Sequence, residues 1–435
     1  MRLLARGALR GWPALRLRAA RRSSIRAKSS AITAWGAFVG QLATTKTAIE
    51  HDYSMETHAS AAPVQISPQQ LFETTPDTDI RISAVGAGMR HALIASEIVE
   101  DSEPRTLLAG FGLNRCYQLG RPWSNRSAAN SGISMITEIS GSVSQISCGR
   151  EHSAMVVRQR DGQQRVFVCG SNAFGQLGLT REKKAEDERV LQRSALCDLE
   201  ELDKILDAGE IPVKVQCGLD HTVILTSHNR VLAMGWGADG QLGTGYTADS
   251  DRPVRVCGLD SVAIVDISST TDFTLALSVD NRVFYWGNAE YGQCMVGRKI
   301  DKVLVPMQVP FGKGRIKSIA AGGCHALLLT EAGQVYICGY GALGLGSDCV
   351  SVLEPTLLEG LEHIDMIYAS TDRCLAIGRN CNVYSWGLGN SLGRLGYGIS
   401  AKNVFTPELL NICPTLIRSG LVALGNDISL IATPS

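Results

Sequence analysis

Apolar residues along this 435-residue chain fall in short runs rich in Val, Ile, Leu and Tyr, cut by Gly, Asn and Asp turns. Runs of that length between turn signals predict strands in antiparallel meanders. ISCGREHSAMVVRQRDGQQRVFVCG, VQCGLDHTVILTSHNRVLAMG and IAAGGCHALLLTEAGQVYICG share one plan: a strand, G-x-x-H, a second strand, a polar turn, and a third strand ending at a glycine.

A second motif follows each such glycine. It appears as AWGAFVGQLA, AGFGLNRCYQLG, CGSNAFGQLG, GWGADGQLG, WGNAEYGQC, CGYGALGLG and WGLGNSLGRLG, with the glycine at Gly36, Gly110, Gly170, Gly235, Gly287, Gly339 and Gly387. The intervals are 74, 60, 65, 52, 52 and 48 residues. GWGADGQLG contains G-x-G-x-x-G, but the following QLGTGYTADSDRP has no apolar residues at helical spacing, so the helix of a dinucleotide site is missing. The glycines therefore punctuate a repeat of about 50 residues.

Seven small sheets arranged radially leave only short, protected edges. The expected fold is all-β, a seven-bladed β-propeller over 31–435. Its last segment, LVALGNDISLIATP, lacks a third strand, and AITAWG at 31–36 is the matching orphan. The two are expected to close the ring, 31–36 pairing near Ile428–Ala432.

The first 30 residues carry eight arginines, one lysine and no acid, alternating with Leu, Ala, Trp and later Ser. This reads as a mitochondrial transit peptide. The chain is neutral overall, but without the leader 33 basic residues face 42 acidic ones, which argues against wrapping nucleic acid over the whole surface. No apolar run is long enough to cross a membrane. The thirteen cysteines fall singly, without a C-x-x-C pair, and adjacent Cys324 and His325 on a strand would point to opposite faces. No metal, cofactor or catalytic nucleophile is expected. A binding scaffold is the class these features support.

The pattern G-x-x-H, apolar strand, turn, V-x-x-W-G and G-Q-L-G resembles the regulator of chromosome condensation repeat family, over residues 31 to 435. Within it the leader and GWGADGQLG, WGNAEYGQ and CGYGALGLG are similar to the mitochondrial branch from the Williams-Beuren region. Copies one, six and seven depart from the consensus: ATTKTAIE follows the first, the sixth lacks the glutamine, and ASTDRCLAIG replaces G-x-x-H before the seventh. The resemblance implies a seven-bladed propeller. It also implies guanine-nucleotide exchange on a GTPase, here the dynamin-like GTPase of mitochondrial inner-membrane fusion, in the matrix or at the matrix face of the inner membrane. An alternative it also implies is a scaffold for mitochondrial large-subunit rRNA and its assembly factors.

In the exchange-active nuclear member of the family, an aspartate in a G-x-D-H loop promotes nucleotide release. CGLDH supplies that pattern here, making Asp220 and His221 the candidate exchange residues. The bland alternatives are that Asp220 bonds its own turn and that His152, His221 and His325 tie one loop to the next. For RNA or an anionic surface the candidates are Arg298, Lys299, Lys302, Lys313, Arg315 and Lys317, if clustered. GKGRIKS is not a phosphate-binding P-loop, since G-x-x-x-x-G-K-[ST] is absent. Two insertions lengthen the repeat. Residues 44–80 read as a flexible polar loop. In 180–210 the spacing of Leu191, Leu199, Leu202 and Ile205 predicts one or two amphipathic helices, either packed back on their blade or projecting as a partner-binding arm.

Overall fold

The computed structural model describes residues 30–37, 39, 60–72, 74, 78–100, 103–120, 134–180, 192–398, 402–412 and 421–433. Residues 1–29, nearly all of the expected leader, lie outside them. Among the described residues twenty-eight strands form seven four-stranded antiparallel sheets. The chain begins in the closing blade with β1 (Ala31–Gly36) and β2 (Ser60–Ile66). The first blade holds β3 (Ile80–Ala87), β4 (His91–Glu100), β5 (Glu103–Gly112) and β6 (Ser134–Ile139). The second holds β7 (Ser142–Cys148), β8 (His152–Arg158), β9 (Gln164–Ser171) and β10 (Gln192–Asp198), and the third β11 (Pro212–Cys217), β12 (His221–Thr226), β13 (Val231–Gly235) and β14 (Ser250–Arg255). In the fourth come β15 (Ile264–Ser269), β16 (Phe273–Ser278), β17 (Val283–Asn288) and β18 (Lys302–Gln308). The fifth comprises β19 (Ile316–Ala321), β20 (His325–Thr330), β21 (Val335–Tyr340) and β22 (Ser351–Leu357), the sixth β23 (Ile364–Ala369), β24 (Arg373–Gly378), β25 (Val383–Gly387) and β26 (Val404–Leu410). Finally β27 (Leu421–Leu424) and β28 (Ile428–Thr433) join β1 and β2.

That closing sheet is the expected one. Ile32 pairs with Ala432, Trp35 with Ser429 and Gly36 with Ile428, so the two ends of the chain share one ladder. The first strand of every blade lines a central channel, a cavity of about 580 Å³. Two ion pairs span its wall between neighbouring blades, Lys214–Asp266 and Lys317–Asp365, both 2.5 Å.

In five of the seven blades the residue before the repeat glycine bonds to the blade before it. Trp286 Nε1 donates to the Gln241 carbonyl (3.0 Å), Trp386 Nε1 to Leu343 (3.2 Å) and Trp35 Nε1 to Arg394 (3.0 Å). All three indoles are fully buried, which contributes roughly 1.5–3 kcal/mol apiece for a large apolar side chain while the N–H keeps a partner. Cys169 and Cys338 take the same place, their thiols reaching the carbonyls of Gln118 and Gly292. The glutamine of G-Q-L-G closes its own turn, as where Gln241 Oε1 accepts from the Asp239 amide (2.9 Å). Gly235 sits at φ 107°, a conformation disfavoured for other residues, and ends a strand; no helix opens from it.

Two expectations need correction. Within 180–210, residues 192–198 form β10, pairing with β9, and only a single helical turn follows, α2 (Glu200–Asp203). Leu199 and Leu202 are buried in the core between the second and third blades, with Ile205 packed against it; Leu191 lies outside the described residues. The third strand of that blade offers an unpaired ladder, and filling it outweighs local helical spacing. Within 44–80, residues 60–66 form β2 rather than loop, and a turn of helix, α1 (Pro68–Leu71), follows and buries Leu71 and Phe72. Among the described residues no helix is long and apolar enough to cross a membrane.

Candidate functional site

Antiparallel order places the loops between first and second strands, and those between third and fourth, on one face of the propeller, here the upper face. The remaining loops lie on the lower face. The G-x-x-H loops are thus all upper-face loops, and they are hydrogen-bonded into a ring. Met89 N–H donates to the Gly149 carbonyl, Arg150 to Leu219, Leu219 to Thr271, Gly323 to Thr371 and Asn426 to Gly88, at 3.0–3.1 Å. Thr271 Oγ1 bonds the Gly322 carbonyl (3.0 Å), and Arg373 Nη2 donates to that of Gly425 (2.8 Å). Every seam of the seven blades is bridged.

The histidines lie beneath this ring. His91 Nε2 meets Ser153 Oγ at 2.8 Å, His152 meets Thr222 Oγ1 at 3.1 Å, His221 meets Ser269 Oγ at 3.1 Å and His325 meets Cys374 Sγ at 3.0 Å. Each bond crosses to the next blade. Burial drives the first three imidazoles to a pKa of about 3 and His325 to about 4, so all four are neutral. The glycine of the motif makes room for the ring: a Cβ on Gly218 would lie 2.1 Å from His221 Cε1. His221 is fully buried. Its side chain is spent on Ser269 of the next blade and offers no surface of its own beside Asp220.

One residue earlier lies a second recurrent position of the same loop. Aligned by the ladder pairs to Gly112 (the register sets it, rather than Gly110, opposite His91), Gly170, Gly235, Gly287, Gly339, Gly387 and Gly36, that position holds Arg90, Glu151, Asp220, Asp272, Cys324, Asp372 and Asp427. Five of seven are acids, so the upper face carries an inner acidic ring. Reading the sequence motif by motif singled out only Asp220. The others were legible as the residue preceding each second strand, but Phe273, Arg373 and Ile428 replace the histidine that would have marked three of them.

Asp220 is held by Arg150 of the preceding blade, whose Nε donates to Oδ1 at 3.2 Å while Nη2 bonds Oδ2. Its carboxyl is pushed up by burial, against the pull of Arg150. Asp272 is raised to about 6, by burial and by the nearby charges of Asp239 and Asp220. Three carboxyls and one guanidinium thus share a preorganised patch at the rim of the channel. Arg394 plays the balancing part across the ring, 3.1 Å from Asp372 and 3.6 Å from Asp427.

The six basic residues do not come together. Arg298, Lys299 and Lys302 sit on or beside an upper-face loop, where Lys302 Nζ donates to the Ala238 carbonyl (3.0 Å). Lys313 and Arg315 belong to a lower-face loop. There Lys313 bonds the Pro355 carbonyl (2.7 Å) over the Tyr336 ring, and Arg315 pairs with Glu331. Lys317 faces the channel, paired with Asp365. The two short sequence stretches flank β18, and a strand puts its ends on opposite faces. On the lower face Asp207, Glu210 and His228 bring ligand-type atoms within 4.8 Å of one another. Glu210, however, is occupied by Thr226 and by Arg230, whose Nε lies at 2.8 Å.

Residues 34–431 match the RCC1-like domain family. The chain is 32% identical over 359 residues to a mouse "RCC1-like G exchanging factor-like protein", covering 77% of this chain and 74% of the relative, and 31% identical over 357 residues to its human counterpart, covering 76% and 73%. Among solved structures, human WBSCR16 superposes with a TM-score of 0.76 at 24% identity, covering 94% of this chain and all of that one. Yeast RCC1 (Prp20), solved bound to Kap60, superposes at 0.70 and 20% identity, over 94% of this chain and 89% of its own. At those identities the superpositions speak for the fold alone. Sequence match over nearly the whole chain and a shared seven-bladed architecture place this protein in the RCC1-like domain family.

Proposed function

We propose that this propeller is a guanine-nucleotide exchange factor or regulator of a GTPase, engaging it through the upper face with Asp220 as the residue nearest the chemistry. The observation that carries the reading is the acidic ring on a hydrogen-bonded frame, with Asp220 buried and Asp272 half-buried at its most crowded point. Carboxylates held this way can compete with a nucleotide phosphate for Mg²⁺ or for the phosphate-binding lysine of a GTPase, which promotes release without any covalent step. The names of the mouse and human relatives agree with exchange, and another yeast Prp20p structure is described with its binding properties to Gsp1p and histones. Arg150 shields Asp220 in the free protein, so a partner would have to draw the guanidinium aside or use it as a second contact.

The finer reading is that the GTPase is the mitochondrial dynamin-like fusion GTPase, reached in the matrix through the basic leader. The protein acts by binding and is not itself a catalyst of bond making. Among the described residues no single basic surface supports the rRNA scaffold, the six basic candidates being divided between the two faces and the channel. GDP release from the purified fusion GTPase, with and without the propeller, tests the proposal; no acceleration would remove it. Residues 1–35 fused to a soluble reporter test the address, and a reporter left in the cytosol would refute it.

A further inference from the structure

Adjacent blades are bridged on the upper face by two aromatic pairs. Phe174 and Trp236 meet edge to face with centroids 4.3 Å apart, and Tyr291 and Tyr340 lie 5.9 Å apart at 34°. The second pair is open to solvent, Tyr291 at 38% and Tyr340 at 47% exposure, with Tyr291 on the loop after β17 and Tyr340 at the end of β21. Large aromatics left half in water on a rigid frame are the kind of group that anchors a partner.

The inner ring next to the tyrosine pair is acidic. Tyr340 donates its amide to the Cys324 carbonyl, and Cys324 replaces the acid of the inner ring in that blade. In the inner ring Cys324 lies between Asp272 and Asp372 of the neighbouring blades, so two carboxyls flank the loop whose carbonyl Tyr340 bonds. Glu290 is the chain neighbour of Tyr291 and is exposed. The basic Arg298 and Lys299 leave the same loop farther out, where Gly297 bonds the Leu353 carbonyl of the next blade's outer strand.

We infer that Tyr291 and Tyr340, with Glu290 beside Tyr291 and with Asp272 and Asp372 on the adjoining arc of the inner ring, form a second contact on the upper face that receives a lysine- and arginine-rich segment of the protein partner. An aromatic face attracts a cation, and it does so best where carboxylates already favour positive charge. The same carboxylates repel phosphate, which disfavours stacking of nucleic-acid bases on the tyrosines. The inference takes from the exchange reading only the choice of face. Contact here would fix the orientation in which a GTPase approaches Asp220, on an arc of the ring one to two blades away.

The test uses the full-length propeller and a short fluorescent peptide of alternating arginine and glycine, followed by anisotropy at physiological salt. Tyr291→Ala with Tyr340→Ala should weaken binding about five- to tenfold, whereas Tyr291→Phe with Tyr340→Phe, which keeps both aromatic faces, should stay within about twofold. Glu290→Gln should weaken binding and flatten its salt dependence. Unchanged melting temperatures establish that each variant is folded. An alanine pair that binds as wild type overturns the inference, as does tighter binding of a single-stranded polyuridine RNA than of the peptide. Peptide binding through the tyrosines without stimulation of GDP release leaves this contact standing and removes the exchange reading. Stimulated release with no effect of the tyrosines does the reverse.

Discussion

Arg373 Nη2 donates to the backbone carbonyl of Ile428, 2.8 Å away across the seam between the sixth blade and the closing blade. It also reaches the carbonyls of Gly425 and Arg394, is completely buried, and takes the place that histidine holds in four earlier blades. Burial lowers its pKa to about 9, opposed by the nearby Asp427, so it remains charged at neutral pH. A single guanidinium thus staples the ring where its two ends meet.

Truncating that staple should cost more than changing it. Arg373→Ala leaves buried carbonyls without donors and a cavity, a loss of about 3–5 kcal/mol. Arg373→His should cost much less. The histidines at His91, His152 and His325 bond the residue that follows this position in the next blade, and the equivalent Ser429 Oγ is buried without a partner. Chemical denaturation of the two variants checks the order; equal losses would show that the staple depends on charge rather than on a donor reaching the closing blade.

Closure itself is testable through β1. Trp35 is fully buried and bonds the Arg394 carbonyl, so Trp35→Ala should destabilise by about 3–5 kcal/mol, and deletion of 31–43 should lower the melting temperature sharply. An unchanged melt after the deletion would mean that the ladder from Ile32–Ala432 to Gly36–Ile428 contributes little to holding the ring.

The buried histidines set an acid limit on stability. Their folded pKa values, about 3 to 4, lie below the ordinary 6.5, so the unfolded chain binds protons the folded one refuses. Their contribution is fully present above pH 6.5 and is lost as pH falls toward 3, each worth about 1.4 kcal/mol per pH unit in that window. Asp272 runs the other way. Raised to about 6, it adds stability below its ordinary 3.8 that disappears as pH rises through 6, and so offsets part of the slope. Denaturation midpoints from pH 7 to 4 should therefore fall steeply, and His325→Gln should remove one proton from the slope; a pH-independent midpoint would contradict this.

Asp220→Asn separates a role in exchange from a role in bracing the loop. The asparagine keeps the size of the side chain and one acceptor for Arg150, so stability should change by about 1 kcal/mol. GDP release from the GTPase should slow, because the charge proposed to compete at the phosphate site is gone. Full stimulation by a folded Asp220→Asn protein would leave the residue structural.

Alternation of apolar runs with glycine turns was sufficient by itself to establish seven repeats, the inner three strands of the regular ones and the pairing of 31–36 with Ile428–Ala432, because strand period and turn chemistry are local properties. It also marked the G-x-x-H loops and Asp220. What a linear motif does not carry is which side of a sheet a loop leaves from, or what a neighbouring blade requires. Residues 298–302 and 312–317 are close in sequence, yet the length of β18 puts most of them on opposite faces and sends Lys317 to the channel. Residues 192–198 became a strand because β9 had a free ladder to fill. Glu151, Asp272, Asp372 and Asp427 joined Asp220 in one ring only when register aligned positions that sequence identity does not. Arg373 could be seen to stand in for a histidine only once the closing blade lay against it, since its partners Gly425 and Ile428 are more than 50 residues away and present nothing but backbone.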